Sequence, residues 1–266
     1  MARKFKRVLL ASDPHCGHVT GLHHPDDQTV PPRHPEKRRL RNLQREAWKF
    51  YTDILDAMRP IDVAIWNGDM IDGRQMKNAG LELIHPDRHW QVLCAAKVIE
   101  EAKAKKNYLT RGTDYHTGHK EDWENILADM VGGEIRNKLW LDVNGVVINA
   151  RHHLNSSSIP HGAATPLLKE VVWNDLNAAM RTEADADIVV RSHTHYRLIV
   201  QTHKTAISTP GLQVQGGRYG DKRVTGTVHF GLIFLDITDK ETWETSPKWH
   251  QFVATLRSQA PDVLKV

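Results

Sequence analysis

The sequence predicts an α/β protein, a sheet flanked by helices, and three observations carry that expectation. Short apolar runs suited to buried strands alternate with longer stretches whose apolar residues recur every three to four positions. The strand-like runs stop abruptly at glycine, proline or asparagine. At those stops the chain presents aspartate or histidine: Asp13 and His15, Asp69, Asp114 and His116, His152 and His153, His193 and His195. In sheets flanked by helices, ligand sites gather beyond the carboxyl ends of the strands.

Taken in order, Val8 to Ala11 is a buried strand that runs into Ser12-Asp13-Pro14-His15-Cys16-Gly17-His18. Residues 19–36 are rich in His, Pro and Asp and lack apolar periodicity, which suits a lid or substrate loop with His23, His24 and His34 facing substrate. A helix follows from about Pro35 to Ala57, with Leu40, Leu43, Ala47, Phe50, Tyr51, Ile54 and Met58 on one stripe. Its first turns carry Lys37, Arg38, Arg39, Arg41 and Arg45, cations placed against the helix dipole. Asp62 to Trp66 is a second strand ending at Asn67-Gly68-Asp69, and 76–89 has no clear pattern.

Helix resumes over about Trp90 to Lys105, with Val92, Leu93, Ala96, Val98 and Ile99 inward. Asn107 to Arg111 is a third strand, and about Glu121 to Met130 a helix stopped by Gly132-Gly133. Asn144-Gly145 turns a hairpin of Leu139–Asp142 and Val146–Ala150. A helix from about Thr165 to Arg181 places Leu167, Leu168, Val171, Val172, Leu176 and Ala179 inward. Asp187 to Arg191 is a strand, Arg197–Thr202 and Thr205–Ser208 a hairpin, and Gly226 to Ile237 a long strand. Trp243, Trp249 and Phe252 are expected to pack on the outside. No linker-like boundary interrupts residues 1–266, so a single domain is expected.

Composition narrows the chemistry. Hydrophobic residues make up 40% and charged residues 26% of 266, the balance of a soluble globular protein. The net charge of +4 suits an anionic substrate and is too small to single out nucleic acid. Two cysteines exclude a disulfide framework and a thiolate zinc site, and a cytoplasmic location is the expectation. No apolar stretch is long enough to span a bilayer. The 17 histidines stand out, because imidazole is the commonest metal ligand. Oxygen and nitrogen donors in this mixture favour Mn, Fe, Zn, Ni or Co over Cu(I) or an iron–sulfur centre.

The ordered set Asp13-Pro14-His15, Gly68-Asp69, Gly112-Thr113-Asp114-Tyr115-His116, His152-His153 and Ser192-His193-Thr194-His195 resembles the motifs of the calcineurin-like metallophosphoesterases. Ser208-Thr209-Pro210-Gly211 is similar to the turn that closes many members, and the variant is most similar to phage- and prophage-borne ones. The resemblance spans roughly residues 8 to 211 and implies a four-layer α/β/β/α sandwich. It also implies two divalent or trivalent ions, Mn foremost, with Asp13, His15 and His195 on one. His193, either His152 or His153, and a group of the Gly112 loop would take the other, with Asp69 bridging them. A metal pair about 3.5–4 Å apart holds a bridging hydroxide and clamps phosphate oxygens. His116 would protonate the departing oxygen.

Two positions stay open in the sequence. Where the family loop usually reads Gly-Asn-His-Asp or Gly-Asn-His-Glu, Gly112-Thr113-Asp114 offers Asp114 or Thr113 as ligand, and the carboxylate is the better donor. Strand parity with Val146, Ile148 and Ala150 favours His152 over His153. The implied activity is hydrolysis of phosphodiesters, with DNA, RNA or a nucleotide as substrate, in the cytoplasm of a bacterial host if phage-encoded. A phosphomonoesterase or nucleotide pyrophosphatase would use the same centre, and a non-catalytic binding scaffold is the remaining class.

Overall fold

The computed structural model describes residues 4–30, 36–118, 121–157, 159–216, 228–239 and 251–256. Its first sheet contains β1 (Lys6–Ala11), β2 (Val63–Asn67), β3 (Lys106–Thr110), β4 (Glu134–Arg136), β10 (Phe230–Ile237) and β11 (Gln251–Leu256). They are ordered β11-β10-β1-β2-β3-β4. Strands β1 to β4 run parallel, and β10 pairs antiparallel with both β1 and β11. The second sheet holds β5 (Leu139–Val143), β6 (Val146–Ala150), β7 (Ile188–Arg191), β8 (Leu198–Gln201) and β9 (Thr205–Ser208) in the order β5-β6-β7-β9-β8.

Period-two alternation explains the layers. Val8 and Leu10 of β1 pack with Ile65, Ile148, Val190, Ile207, Ile233 and Leu235 in a core between the two sheets. Leu9 and Ala11 point the other way, into a core shared with Ala64, Trp66 and Phe234. That outer core is closed by α1 (Lys37–Met58), α2 (Arg88–Glu101) and α4 (Trp123–Met130), through Ala47, Tyr51, Leu55, Val98 and Leu127 among others. On the far side, α5 (Thr165–Ala179) sets Leu167 and Val171 against Leu154 and Ala206. The result is helices, sheet, sheet, helix: the four-layer sandwich that the resemblance implies. Strands buried on both faces are why β1, β2 and β10 read as unbroken apolar runs.

Several elements differ from expectation. The edge strand β4 is only three residues long, and β11 contains Phe252, which was expected to pack outside; Trp243 and Trp249 lie outside the described residues. A one-turn helix α3 (Asp114–Thr117) follows β3. Leu93 of α2 and Val172, Leu176 and Ala179 of α5 are exposed rather than inward. On α5 the reason is a buried polar plug. Asn174 accepts from the Ala186 N–H at 3.0 Å and from Lys204 Nζ at 2.6 Å, and it donates to the Ala184 carbonyl at 3.0 Å. These bonds turn the helix so that Val172 and Leu176 face out.

Much of the described segment after β1 packs inward, with Pro25, Asp26 and Thr29 exposed. Val19 and Val30 pack on Leu40, and Leu22 enters the helix-side core. His23 does not face substrate. It is fully buried, its Nε2 accepts the Gly17 N–H at 2.8 Å, and its Nδ1 donates to the Gly21 carbonyl at 3.0 Å. His34 and His119 lie outside the described residues.

Candidate metal centre

Beyond the strand ends, two chain segments continue side by side. The N–H groups of Asp13, His15 and Cys16 donate to the carbonyls of Gly68, Asp69 and Met70 at 3.0, 3.2 and 3.1 Å. Beneath them a buried polar chain joins five strand ends from both sheets. Thr110 Oγ1 donates to Asn67 Oδ1 at 2.7 Å, and Asn67 Nδ2 donates to Ser192 Oγ at 2.6 Å. Ser192 and Ser12 each bond Thr209 Oγ1, at 2.6 and 2.7 Å. Ser192 is therefore a link in this chain.

The backbone is strained where the chemistry sits. Asp13, His15, Asp69, His193 and His195 have φ of +53°, +43°, +51°, +73° and +50°. Residues other than glycine rarely hold this left-handed region, at a cost of order 1–3 kcal/mol each. Glycines leave room for the side chains. A Cβ on Gly68 would lie 2.5 Å from His152 Cγ, one on Gly112 2.2 Å from Asp69 Oδ1, and one on Gly211 2.8 Å from His195 Cγ.

The side chains converge in three groups whose donor atoms lie within 4.8 Å of one another: Asp13, His15 and His195; His15, Asp69 and His116; Asp69, His152 and His193. His195 Nε2 stands 3.2 Å from Asp13 Oδ1 and 3.3 Å from His15 Nε2. His152 Nε2 stands 3.1 Å from Asp69 Oδ2, to which His193 Nδ1 and His116 Nε2 both come within 3.9 Å. Asp69 is thus common to two groups.

Burial would raise the Asp13 and Asp69 carboxyls, but facing imidazoles, His195 and His152 foremost, hold both below the usual range. Burial would lower His152, yet Asp69 and Asp13 carry it up to about 10. Burial and then His116 push His15 down to about 4. Asp13 Oδ1 and His152 Nε2 are buried with no hydrogen-bonded partner among the described residues. Such orphaned atoms among nitrogen and oxygen donors fit divalent cations, whose binding would displace the imidazole proton.

Of the sequence-predicted residues, Asp13, His15, Asp69, His116, His152, His193 and His195 stand in this cluster. Asp114 and His153 stand in none of the three groups. Asp114 is exposed at the start of α3, while Thr113 directs its N–H and Oγ1 to Asp69 Oδ1 at 2.6 and 3.1 Å. His153 is exposed, its ring 5.0 Å from that of His193; His152, on the parity of Ala150, points in.

Asp72 and Glu124 were not anticipated. Asp72 Oδ1 lies 3.2 Å from His15 Nδ1, and its carbonyl accepts from His116 Nδ1 at 2.9 Å. Its one signal was a second aspartate three residues after Asp69, in Gly68-Asp69-Met70-Ile71-Asp72. Glu124 accepts from the Met70 and Gly112 N–H groups at 3.1 and 2.7 Å, clamping the turns on both sides of Asp69. Burial pushes its carboxyl up to about 7. Cys16 and Cys94 are buried packing residues with thiols held up by burial.

A cavity of about 540 Å³ opens on the cluster, lined by His15, Asp69, His116, His193 and His195 and also by His18, Lys77, Glu82 and Tyr115. Arg111, Arg151 and Arg191 do not line it; they donate to Asn125, Glu170 and Asn149.

No family model and no curated protein sequence matches the chain. Among solved structures, it is similar to a single mutant of Vps29 from Entamoeba histolytica at 11% identity and TM-score 0.45, over 94% of this chain and 99% of that one. It is similar to vacuolar protein sorting 29 from Cryptosporidium parvum at 11% and 0.46, over 96% and 99%. An archaeal phosphodiesterase gives 14% and 0.43, over 93% and 99%. Scores this low add nothing to what the chain's own sheets and side chains display. Among the described residues, no helix is long and apolar enough to cross a membrane.

Proposed function

We propose that this chain is a metal-dependent phosphoesterase of the calcineurin-like kind, acting on phosphodiesters, with a nucleotide or nucleic acid as the substrate class. One observation carries the reading: aspartates and histidines from five separate strand ends meet in three adjoining groups, the first two joined by His15 and the last two by Asp69. Asp13, His15 and His195 would hold one cation, His152 and His193 the other, with Asp69 between them. A bound pair of divalent ions supplies Lewis acidity toward a phosphoryl group and lowers the pKa of water.

The chain's own residues do the rest. Thr113 and Glu124 fix the Asp69 turn. His116 Nδ1 donates to the Asp72 carbonyl, which leaves Nε2 as the atom able to pass a proton to the departing oxygen. Although burial opposes it, Asp69 and Asp72 raise the pKa of His116 above the ordinary imidazole value, which favours the proton-bearing ring. We place the activity on a single domain spanning 1–266, and Mn is the first metal to try.

The test is turnover with Mn of a chromogenic diester, a chromogenic monoester, plasmid and single-stranded DNA, before and after chelation. Diester turnover lost on chelation is expected. A monoester preference would transfer the reading to small-molecule phosphomonoesters. Metal uptake with no turnover of any substrate would leave the binding scaffold.

A further inference from the structure

His18 lines the cavity beside the cluster but joins none of the three ligand groups among the described residues. No sequence motif marks it, since it lies three residues past His15 in a polar turn. Its placement is nonetheless tightly specified. The His18 N–H donates to the His15 carbonyl, its own carbonyl accepts from Gly21, and Val19 donates to the Glu82 carbonyl, at 3.0, 2.9 and 2.9 Å. The residue is only 7% exposed.

The ring is oriented as well. Nδ1 accepts from the Thr20 N–H at 3.1 Å and lies 2.8 Å from Thr20 Oγ1. With Nδ1 occupied as an acceptor, the imidazole proton sits on Nε2. That nitrogen faces Glu82 Oε2 at 3.9 Å, beyond hydrogen-bond length. Among the described lining residues Lys77 is the only lysine or arginine, and it lies over the Tyr115 ring at 5.3 Å.

Resting on the proposed phosphoesterase reading, we propose that His18 is a substrate-contacting residue. Its Nε2–H donates to a non-bridging oxygen of the phosphoryl group, next to cations held by His15 and its partners. Asp72 and Glu82 also line the cavity.

Two substitutions separate the ring's two edges. In His18→Asn the amide oxygen reaches the Nδ1 position and keeps the Thr20 bond, while no donor remains at Nε2. In His18→Gln the amide nitrogen replaces the Nε2 donor. Mn titration, thermal melting, inorganic phosphate binding to the Mn-loaded protein, and kcat/KM for aryl diesters of graded leaving group are measured for each. For His18→Asn, Mn affinity is expected to stay at wild type, with phosphate binding and kcat/KM both falling roughly 10- to 100-fold, the size of one hydrogen bond to a charged group. The fall should be equal across leaving groups, and His18→Gln should recover most of it.

Unchanged phosphate binding in His18→Asn overturns the proposal. So does a loss of Mn affinity, a loss that grows with leaving-group basicity, or His18→Gln being as impaired as His18→Asn. If His18→Asn fails to fold, the outcome rests on wild-type-like phosphate binding by His18→Gln, and its loss counts against the proposal. Wild-type protein that neither binds Mn nor turns over any ester sinks the phosphoesterase reading first, and this one with it.

Discussion

Gly112→Ala is the sharpest probe of how the centre is held. Gly112 does not sit at positive φ, so the substitution adds a methyl group without demanding a forbidden backbone. That methyl would lie 2.2 Å from Asp69 Oδ1, 2.3 Å from Asp69 N and 2.9 Å from Asp69 Cα. Two of the three contacts are with backbone, so no side-chain rotation relieves them. Reaching ordinary contact requires Asp69 to retreat by about 1 Å, a displacement able to cost ~100-fold in rate when it moves a catalytic group. Overpacking of this kind costs ~1–3 kcal/mol of stability, and in a chain of this length each kcal/mol lowers Tm by about 2–4 °C.

Expected, then, is a folded protein melting a few degrees early, with Mn affinity and diester kcat/KM both reduced by ~100-fold. Gly132→Ala is the control. Its φ is +60° and nothing lies within 4 Å of its added Cβ, so backbone strain appears there without a clash. It should lose stability and keep full metal binding and activity. Gly112→Ala with wild-type Mn affinity and turnover would refute the packing argument and the central place given to Asp69.

Asp69→Asn should abolish turnover and release both ions, read by metal analysis of the dialysed protein; retention of two equivalents would contradict the sharing of Asp69 between groups. His116→Ala should keep its metal while slowing esters with poor leaving groups most, and metal loss would instead make His116 a ligand, as its proximity to His15 and Asp69 allows. Glu124→Gln tests linkage. The Glu124 carboxyl goes from 4.5 in the unfolded reference to about 7 when buried, so the folded form holds the proton more tightly. That contribution is full below about 4.5 and disappears as pH rises through 7, amounting to ~3 kcal/mol. The stability of wild type minus that of Glu124→Gln, from denaturant melts at about pH 4.5 to 8, should therefore decline with pH. A flat difference would contradict the buried, proton-binding environment of Glu124.

The fold was legible because its strands are buried on both faces. Val8 to Ala11 is apolar throughout since alternate residues feed two different cores, and the same holds for Val63 to Trp66 and Leu232 to Leu235. The clustered aspartates and histidines were legible because they sit at strand stops, marked by Pro14, Gly68 and Gly112 on the first three strands. Local pattern failed where tertiary contacts decide. The three-residue strand β4 has no periodicity to detect, and α5 carries a helical stripe that the Asn174 plug rotates out of register. Asp114 was preferred over Thr113 on donor strength alone. Yet the one-turn helix α3 places Asp114 at its exposed start and gives Thr113, its N-cap, to Asp69.

Glu124 belongs to another category, because nothing in its own neighbourhood marks it and it acts through backbone N–H groups elsewhere in the chain; Asp72, marked only by its spacing from Asp69, acts on the His15 and His116 side chains. Their role follows from the strain. Five cluster residues other than glycine hold left-handed backbone, together disfavoured by ~5–15 kcal/mol if each costs about 1–3. Isolated turns of this sequence would relax to ordinary geometry and scatter the carboxylates and imidazoles. They are held instead by bonds reaching across the chain: Glu124 to the Met70 and Gly112 amides, and the Ser12–Thr209–Ser192–Asn67–Thr110 chain beneath. A left-handed aspartate followed two residues later by a left-handed histidine is a geometry the backbone would not adopt unaided. The convergence of seven ligand-type side chains is thus a property of the two packed sheets, and it should be lost with the sandwich rather than survive in any excised loop.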